Sequence, residues 1–376
     1  MALGIYVHLP FCPYICPYCD FAKWPVRPSA SARYLQALYA EIERYAPERA
    51  ATIFFGGGTP NAYDAEKIAR LVESLRARFS GSAAMKEISI EINPELVRPG
   101  DFETYRRSGI DRISIGVQSF EPPEIATLGR KHTVEQVADA VRQAREAGLR
   151  SVSIDLIFAV PGQTAQSWRR TLNTAISLGV DHISTYGLTI EEGTPYAKWH
   201  EREPRAFMDQ DREAELYEIA ITTLQSGGYG QYEISNFAKP GHESAHNQNY
   251  WANGEYIGLG VSAASYRSGV RSVHTRDFQE YVDAALSGAG IPGESERLEG
   301  LKRTGEAIML ALRTARGVAL ATFKERYGVD VLERYAPVVR SYNEAGLLEV
   351  SGEHLRLTER GRFVANDVCG AFVTFE

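Results

Sequence analysis

Cysteine is scarce in this chain, with four in 376 residues, and three of those lie so close together that a disulfide among them would strand an odd thiol. No apolar run approaches the roughly 20 residues that a bilayer span needs, which predicts a soluble protein without a transmembrane segment. The opening Met1-Ala-Leu-Gly-Ile-Tyr6 has neither the basic region nor the long apolar region of a signal peptide, so a reducing cytoplasmic location is expected. No basic tract exceeds a few residues, and a net charge of -7 argues against nucleic acid as a partner. Low-complexity segments and strict repeats are absent as well. What remains is 44% hydrophobic residues, enough for one large core and a smaller module.

The three neighbouring cysteines are Cys12, Cys16 and Cys19, in Pro10-Phe-Cys-Pro-Tyr-Ile-Cys-Pro-Tyr-Cys-Asp-Phe21. Thiolates are soft ligands that select zinc, copper(I) or iron-sulfur clusters, and three on one loop hold three corners of a 4Fe-4S cubane. Cys369 stands at the far end of the chain, where an inert thiol is expected, so the fourth iron would stay open to a small molecule. Structural zinc would need a fourth ligand, for which only His8 or Asp20 is near. Pro13, Pro17, Tyr14 and Tyr18 stiffen the loop and can shield a cluster from water.

Short β-branched runs recur roughly every 30 residues, each followed by a stretch of helical period, as in successive βα units. Strands are expected at 4–8, 52–55, 87–92, 112–115, 151–156 and 182–186, with helices at 29–45, 64–79, 101–108, 133–147, 164–178 and 208–226. Six units fall short of the eight that close a full barrel, so the expected class is α/β, a partial (β/α)6 TIM-like barrel with a lateral mouth. In such folds the site forms at the carboxyl ends of the strands. The residues there are Gly56-Gly57-Gly58-Thr59-Pro60, then Glu91, Gln118 and Asp155, with Arg130 nearby. Glycines let a ligand approach the backbone, and several polar strand ends on one rim need partners, which a ribose, an amine or a carboxylate would supply. Each of these residues also fits an ordinary turn, cap or solvent-facing position.

Together these motifs, in this order, resemble the oxygen-independent coproporphyrinogen III oxidase family of radical S-adenosylmethionine proteins, across nearly the whole chain. The resemblance implies a 4Fe-4S cluster on Cys12, Cys16 and Cys19. It also implies S-adenosylmethionine on Tyr6, Gly57, Gly58, Thr59, Glu91, Gln118, Arg130 and Asp155. In that superfamily one electron from the cluster cleaves S-adenosylmethionine to methionine and a deoxyadenosyl radical. The oxidases carry a further cysteine two residues after the third, where this chain has Phe21, and a longer segment ahead of the cluster loop. Both departures point away from the oxidase and toward the family's haem-chaperone branch, which binds haem and passes it to acceptor proteins, respiratory enzymes among them. His246-Asn-Gln-Asn-Tyr-Trp251 matches the H-N-x-x-Y-W motif of that branch and makes His246 the implied haem ligand. A neutral imidazole can ligate haem iron beside the flat faces of Tyr250 and Trp251; the same residues also suit a hydrogen-bonded histidine among core aromatics.

The expected domains are therefore a barrel at 1–236, a Gly-rich, aromatic linking region at 237–295 that holds this motif, and a module at 296–376. Helices at 302–313, 320–327 and 338–345 precede strands at 347–350 and 354–357, with Thr358 opening a last helix, which reads as a winged-helix-like α+β domain. The family uses this domain to cover the substrate mouth.

Overall fold

Every strand of the barrel carries two different faces. In Glu87-Ile-Ser-Ile-Glu-Ile92 and Arg112-Ile-Ser-Ile-Gly-Val-Gln118 aliphatic and polar residues alternate, so a pleated strand must turn its aliphatic residues to one side and its polar ones to the other. A computed structural model, which describes residues 3–79 and 85–375, shows where each side goes. Six parallel strands pair in chain order: β1 (Leu3–Leu9), β2 (Ala50–Gly57), β3 (Glu87–Ile92), β4 (Arg112–Gln118), β5 (Ser151–Phe158) and β6 (His182–Gly187). Their aliphatic residues, among them Ile53, Ile90, Ile113, Ile154 and Ile183, are fully buried in the main core. The polar residues line the barrel interior instead.

Helices follow the strands at Pro28–Ile42, Ala65–Phe79, Asp101–Ser108, Val134–Glu146, Ala165–Ser177 and Gln210–Ser226. Thr133 and Thr164 begin two of them with reciprocal side-chain to backbone capping, which satisfies amides that the first turn leaves free. Glu87–Ile92 has the expected bounds, and the other five strands run one to three residues beyond theirs, in β2 and β4 because pairing continues into the segments that carry the glycines and Gln118.

Residues 237–295, read from sequence as a linking region, contribute strands to the barrel sheet. Asn236–Ala238 adds antiparallel to β6, while Tyr256–Leu259 adds parallel to β1 and continues antiparallel through Ala264–Arg267, Val270–His274 and Gly293–Arg297. The result is an open twelve-stranded sheet. A second core, built around Ile308, Phe323, Tyr335, Leu355 and Phe372, belongs to the C-terminal module. Its helices Gly300–Leu312, Leu320–Tyr327 and Ala336–Glu344 pack on a sheet in which His354–Leu357 pairs antiparallel with both Leu348–Ser351 and Val318–Ala319. This is a winged-helix arrangement. Thr358 caps the last helical segment, which breaks at Val364 into Glu359–Phe363 and Ala365–Val373. Cys369 is buried in this core, and burial pushes its thiol up to about 11.

The glycine run at the end of β2 is set by packing against the strand beside it. Gly57 has φ +105, and a Cβ there would meet the His8 ring at 2.5 Å; a Cβ on Gly58 would meet the Pro10 carbonyl carbon at 2.6 Å. The cysteine loop leaves β1 across these two glycines, so any side chain would push it away. Gly58→Ala is therefore expected to destabilise the fold by about 1–3 kcal/mol in urea unfolding. Gly290→Ala, where nothing lies within 4 Å, should shift it by less than about 0.5 kcal/mol.

Candidate functional site

One cavity of about 570 Å³ runs down the barrel interior, from the cysteine loop at the carboxyl ends of the strands to their amino ends. Cys12, Cys16 and Cys19 all open into it. Burial pushes the Cys12 thiol up to about 11, partly opposed by a hydrogen bond with Thr59, and burial raises Cys19 also. Lys23 donates to the carbonyls of Cys19 and Phe21, which fixes a cation beside the loop. Among the described residues no three His, Cys, Asp or Glu side chains gather around one point as a single ion requires. A cubane takes one thiolate per iron and has no such requirement. His8 is spoken for: Nε2 bonds the Ala22 carbonyl at 2.8 Å and Nδ1 the Tyr6 hydroxyl at 3.0 Å. The thiols thus suit a cluster better than a zinc ion completed by His8.

Below the loop lie the expected cofactor residues. Gly57, Gly58 and Thr59 flank the cysteines, and Tyr6, Glu91, Gln118, Arg130 and Asp155 line the same cavity. Asp155 accepts from Ser114 at 2.9 Å and from Ser184 at 2.7 Å. Glu91 accepts the Gly57 amide at 3.3 Å. Burial, and then the charge of Asp155, push Glu91 up to about 8, which favours its protonated form at neutral pH. Gln118 sits at φ 69, a left-handed conformation uncommon outside glycine, where a register shift between Gly116 and Gln118 turns the end of β4. Arg130 is buried rather than solvated: Nη2 donates to Asn93 Oδ1 at 2.9 Å and to the Gly116 carbonyl, and Nη1 lies 4.0 Å from Cys16 Sγ. It links the cluster loop to the ends of β3 and β4.

His246 closes the other end. The short helix Ala245–Trp251 lies across the amino ends of the strands, held by Glu87, whose buried carboxylate accepts the amides of Ala245 and His246 at 3.1 and 3.2 Å. The His246 ring stacks on Phe54 with centroids 5.3 Å apart. Its Nδ1 contacts Thr52 Oγ1 at 2.8 Å and its Nε2 contacts the Tyr250 hydroxyl at 2.8 Å. Desolvation lowers its pKa to about 3, so the ring is neutral. A neutral imidazole is the ligating form, but here both nitrogens are already hydrogen-bonded. Trp251 faces the C-terminal module, with Arg313 over its ring at 5.0 Å.

The Radical SAM superfamily matches residues 6–175, and the HemN C-terminal domain matches residues 302–364. The chain is 34% identical over 373 residues to a Bacillus subtilis protein named Heme chaperone HemW, covering 98% of each. It is 33% identical to the Escherichia coli protein of the same name, covering 99% of this chain and 98% of that one. The chain belongs to the HemW family. Its fold is that of the radical SAM coproporphyrinogen III oxidase HemN from Escherichia coli, with TM-score 0.86 at 24% identity over all of this chain and 91% of the other. Membership in a radical SAM family implies a 4Fe-4S cluster and S-adenosylmethionine for this chain, and the donor set of the upper cavity fits both.

Several residues of the site escaped the sequence reading because they are not at strand ends. Ser89, Ser114, Ser153 and Ser184 line the cavity from within the strands, with Phe54 beside them, and the signal of the serines was the polar alternation itself. Glu87 and Tyr250 were legible too: Glu87 is a charge opening an aliphatic strand, and His246 and Tyr250 are spaced four apart, as neighbours on one helical face. The raised Glu91 pKa makes stability depend on pH. An unfolded glutamate loses its proton near about 4.3 and the folded one near about 8. Ligand-free protein should therefore be most favoured by this group below the lower value and lose that contribution as pH rises through the higher. Glu91→Gln is expected to flatten the fall in melting temperature between about pH 5 and 8; an unchanged slope would mean that Glu91 ionises normally.

Proposed function

We propose that this HemW-family chain is a cytoplasmic haem chaperone that binds haem and passes it to acceptor proteins. It would hold a 4Fe-4S cluster on Cys12, Cys16 and Cys19. S-adenosylmethionine would lie on the open iron, against Tyr6, Gly57, Gly58, Thr59, Glu91, Gln118, Arg130 and Asp155. The observation that carries this reading is that all twelve residues, the three cysteines, these eight and His246, open into one cavity. The names of the relatives supply the haem function. When bound, the cluster supplies an electron and a soft Lewis-acid site for the amino-acid end of the cofactor. The chain's own residues do the rest: Arg130 supplies a buried cation next to the cluster, while Glu91 and Asp155 offer acceptors for hydroxyl or ammonium groups.

His246 would ligate haem iron through Nε2, which first requires the Tyr250 hydroxyl to leave it. Tyr250 is therefore a competitor for that nitrogen.

The function is tested by mixing haem-loaded, cluster-reconstituted protein with an apo haem protein and following the shift of the Soret band. Haem should move to the acceptor, and a protein that binds no haem would end the reading. Multiple-turnover decarboxylation of coproporphyrinogen III would instead make it an oxidase despite Phe21. Cys12→Ala with Cys16→Ala and Cys19→Ala should abolish bound iron and cluster absorbance. Tyr250→Phe should tighten haem binding several-fold by freeing Nε2, and His246→Ala in that background should cancel the gain; if His246→Ala changes neither the affinity nor the spectrum, it is not the ligand.

A further inference from the structure

A second cavity of about 480 Å³ adjoins the first. Tyr6, Asp20, Phe21 and Tyr250 line both, so the two spaces meet around these side chains. Its outer wall comes from Tyr256 and the strand Ala264–Arg267, with Leu310 of the C-terminal module. Aromatic rings dominate it. Phe21 stands at the junction with 59% of its surface exposed, the most exposed of the large apolar side chains in the described chain.

Two cations line the same cavity and differ in what holds them. Arg271 is committed to Glu296 at 3.2 Å and to Glu306. Arg276 donates only to the backbone carbonyl of Asp20, at 3.3 Å, and has no carboxylate partner among the described residues. A cavity walled by aromatic rings, with one unpaired guanidinium at its mouth, suits a flat apolar ligand that carries an acid on its edge.

We propose that this second cavity is where haem sits, with Phe21 against the face of the macrocycle and Arg276 paired with a propionate. The proposal rests on the haem-chaperone reading and adds the location. For His246 Nε2 to reach iron in this cavity, Tyr250, which lines both cavities and holds that nitrogen, has to swing aside. Phe21, which replaces the further cysteine of the oxidases, presents an apolar face to the haem.

The test is titration of the full-length, cluster-reconstituted protein with ferric haem and, separately, with haem dimethyl ester, whose propionates are uncharged, both followed at the Soret band. Arg276→Glu is expected to weaken haem binding roughly five- to tenfold while leaving the ester unchanged, with Arg276→Gln intermediate. Phe21→Ala should weaken both ligands several-fold. Phe21 and the Asp20 carbonyl that Arg276 holds both adjoin Cys19, so iron content is measured for every variant, and Arg276→Gln, which keeps a donor for that carbonyl, carries the test if the other variants lose the cluster. Wild-type binding of haem together with unchanged affinity in both Arg276 variants, or equal weakening for haem and ester, overturns the location but not the chaperone. Absence of binding to wild-type protein removes both.

Discussion

A polar interior is the constraint on which the rest of this barrel depends. The inward residues of β3 to β6 are largely serines, acids and an arginine, and removing such groups from water costs free energy unless each finds a partner. Some do: Asp155 is held by Ser114 and Ser184, and His182 by Ser153 at 2.7 Å and Tyr232 at 2.9 Å. Others, Ser89 Oγ, Arg112 Nη2 and Arg130 Nε, have no protein partner although they are buried. A barrel optimised only for stability would carry aliphatic layers there. This interior makes sense as one shaped around polar ligands, with stability drawn from the aliphatic outer face and its helices.

The same constraint explains the lower end. An open polar bore would admit water to the amino ends of the strands, and the helix Ala245–Trp251 blocks it. Glu87 caps that helix from inside the barrel while lying 3.9 Å from Arg112 and 3.6 Å from Arg150. The carboxylate thus satisfies the helix amides and two guanidinium groups together, which lets a charge remain buried. The C-terminal module grips the other end of the helix through Arg326, which donates to the carbonyls of Ala252 and Asn253 at 2.8 and 2.6 Å. His246 is therefore positioned from both sides, by the barrel and by the winged-helix module.

Much of this was legible in the sequence. The six βα units appear in their expected places because period-2 and period-3.6 patterns are local properties, and Asp101–Ser108 was bounded to the residue by glycines on both sides. The cysteine triplet was legible from its spacing and Glu91, Gln118 and Asp155 from their places at strand ends, while the cofactor roles of Tyr6, the glycine run and Arg130 came from the family resemblance. The pairing of Tyr256–Leu259 with β1 was not legible, because nothing local distinguishes a strand that joins a sheet at its far edge from one within a linking region. Arg130 looked equally suited to solvent, and only the convergence of Asn93, Gly116 and Cys16 makes it a buried cation. Burial of long side chains depends on tertiary neighbours, which a motif does not name.

The charge layout joins these parts. Glu91 and Asp155 lie near enough that burial and mutual repulsion favour the protonated form of Glu91. S-adenosylmethionine carries a sulfonium and an ammonium, and a cation placed between these acids would offset the repulsion and favour their ionised forms. Its carboxylate calls for the opposite environment, which Arg130 supplies at the cysteine end. A second buried guanidinium, Arg112, lines the cavity at the amino end of β4 and favours the ionised form of Asp155. The two acids thus stand between two buried cations, and a ligand with its carboxylate near Arg130 and its positive charge beside Glu91 and Asp155 would meet complementary charge at both ends. These charges come from residues on β3, β4, β5 and the loop after β4, which pairing in one sheet brings around a single cavity.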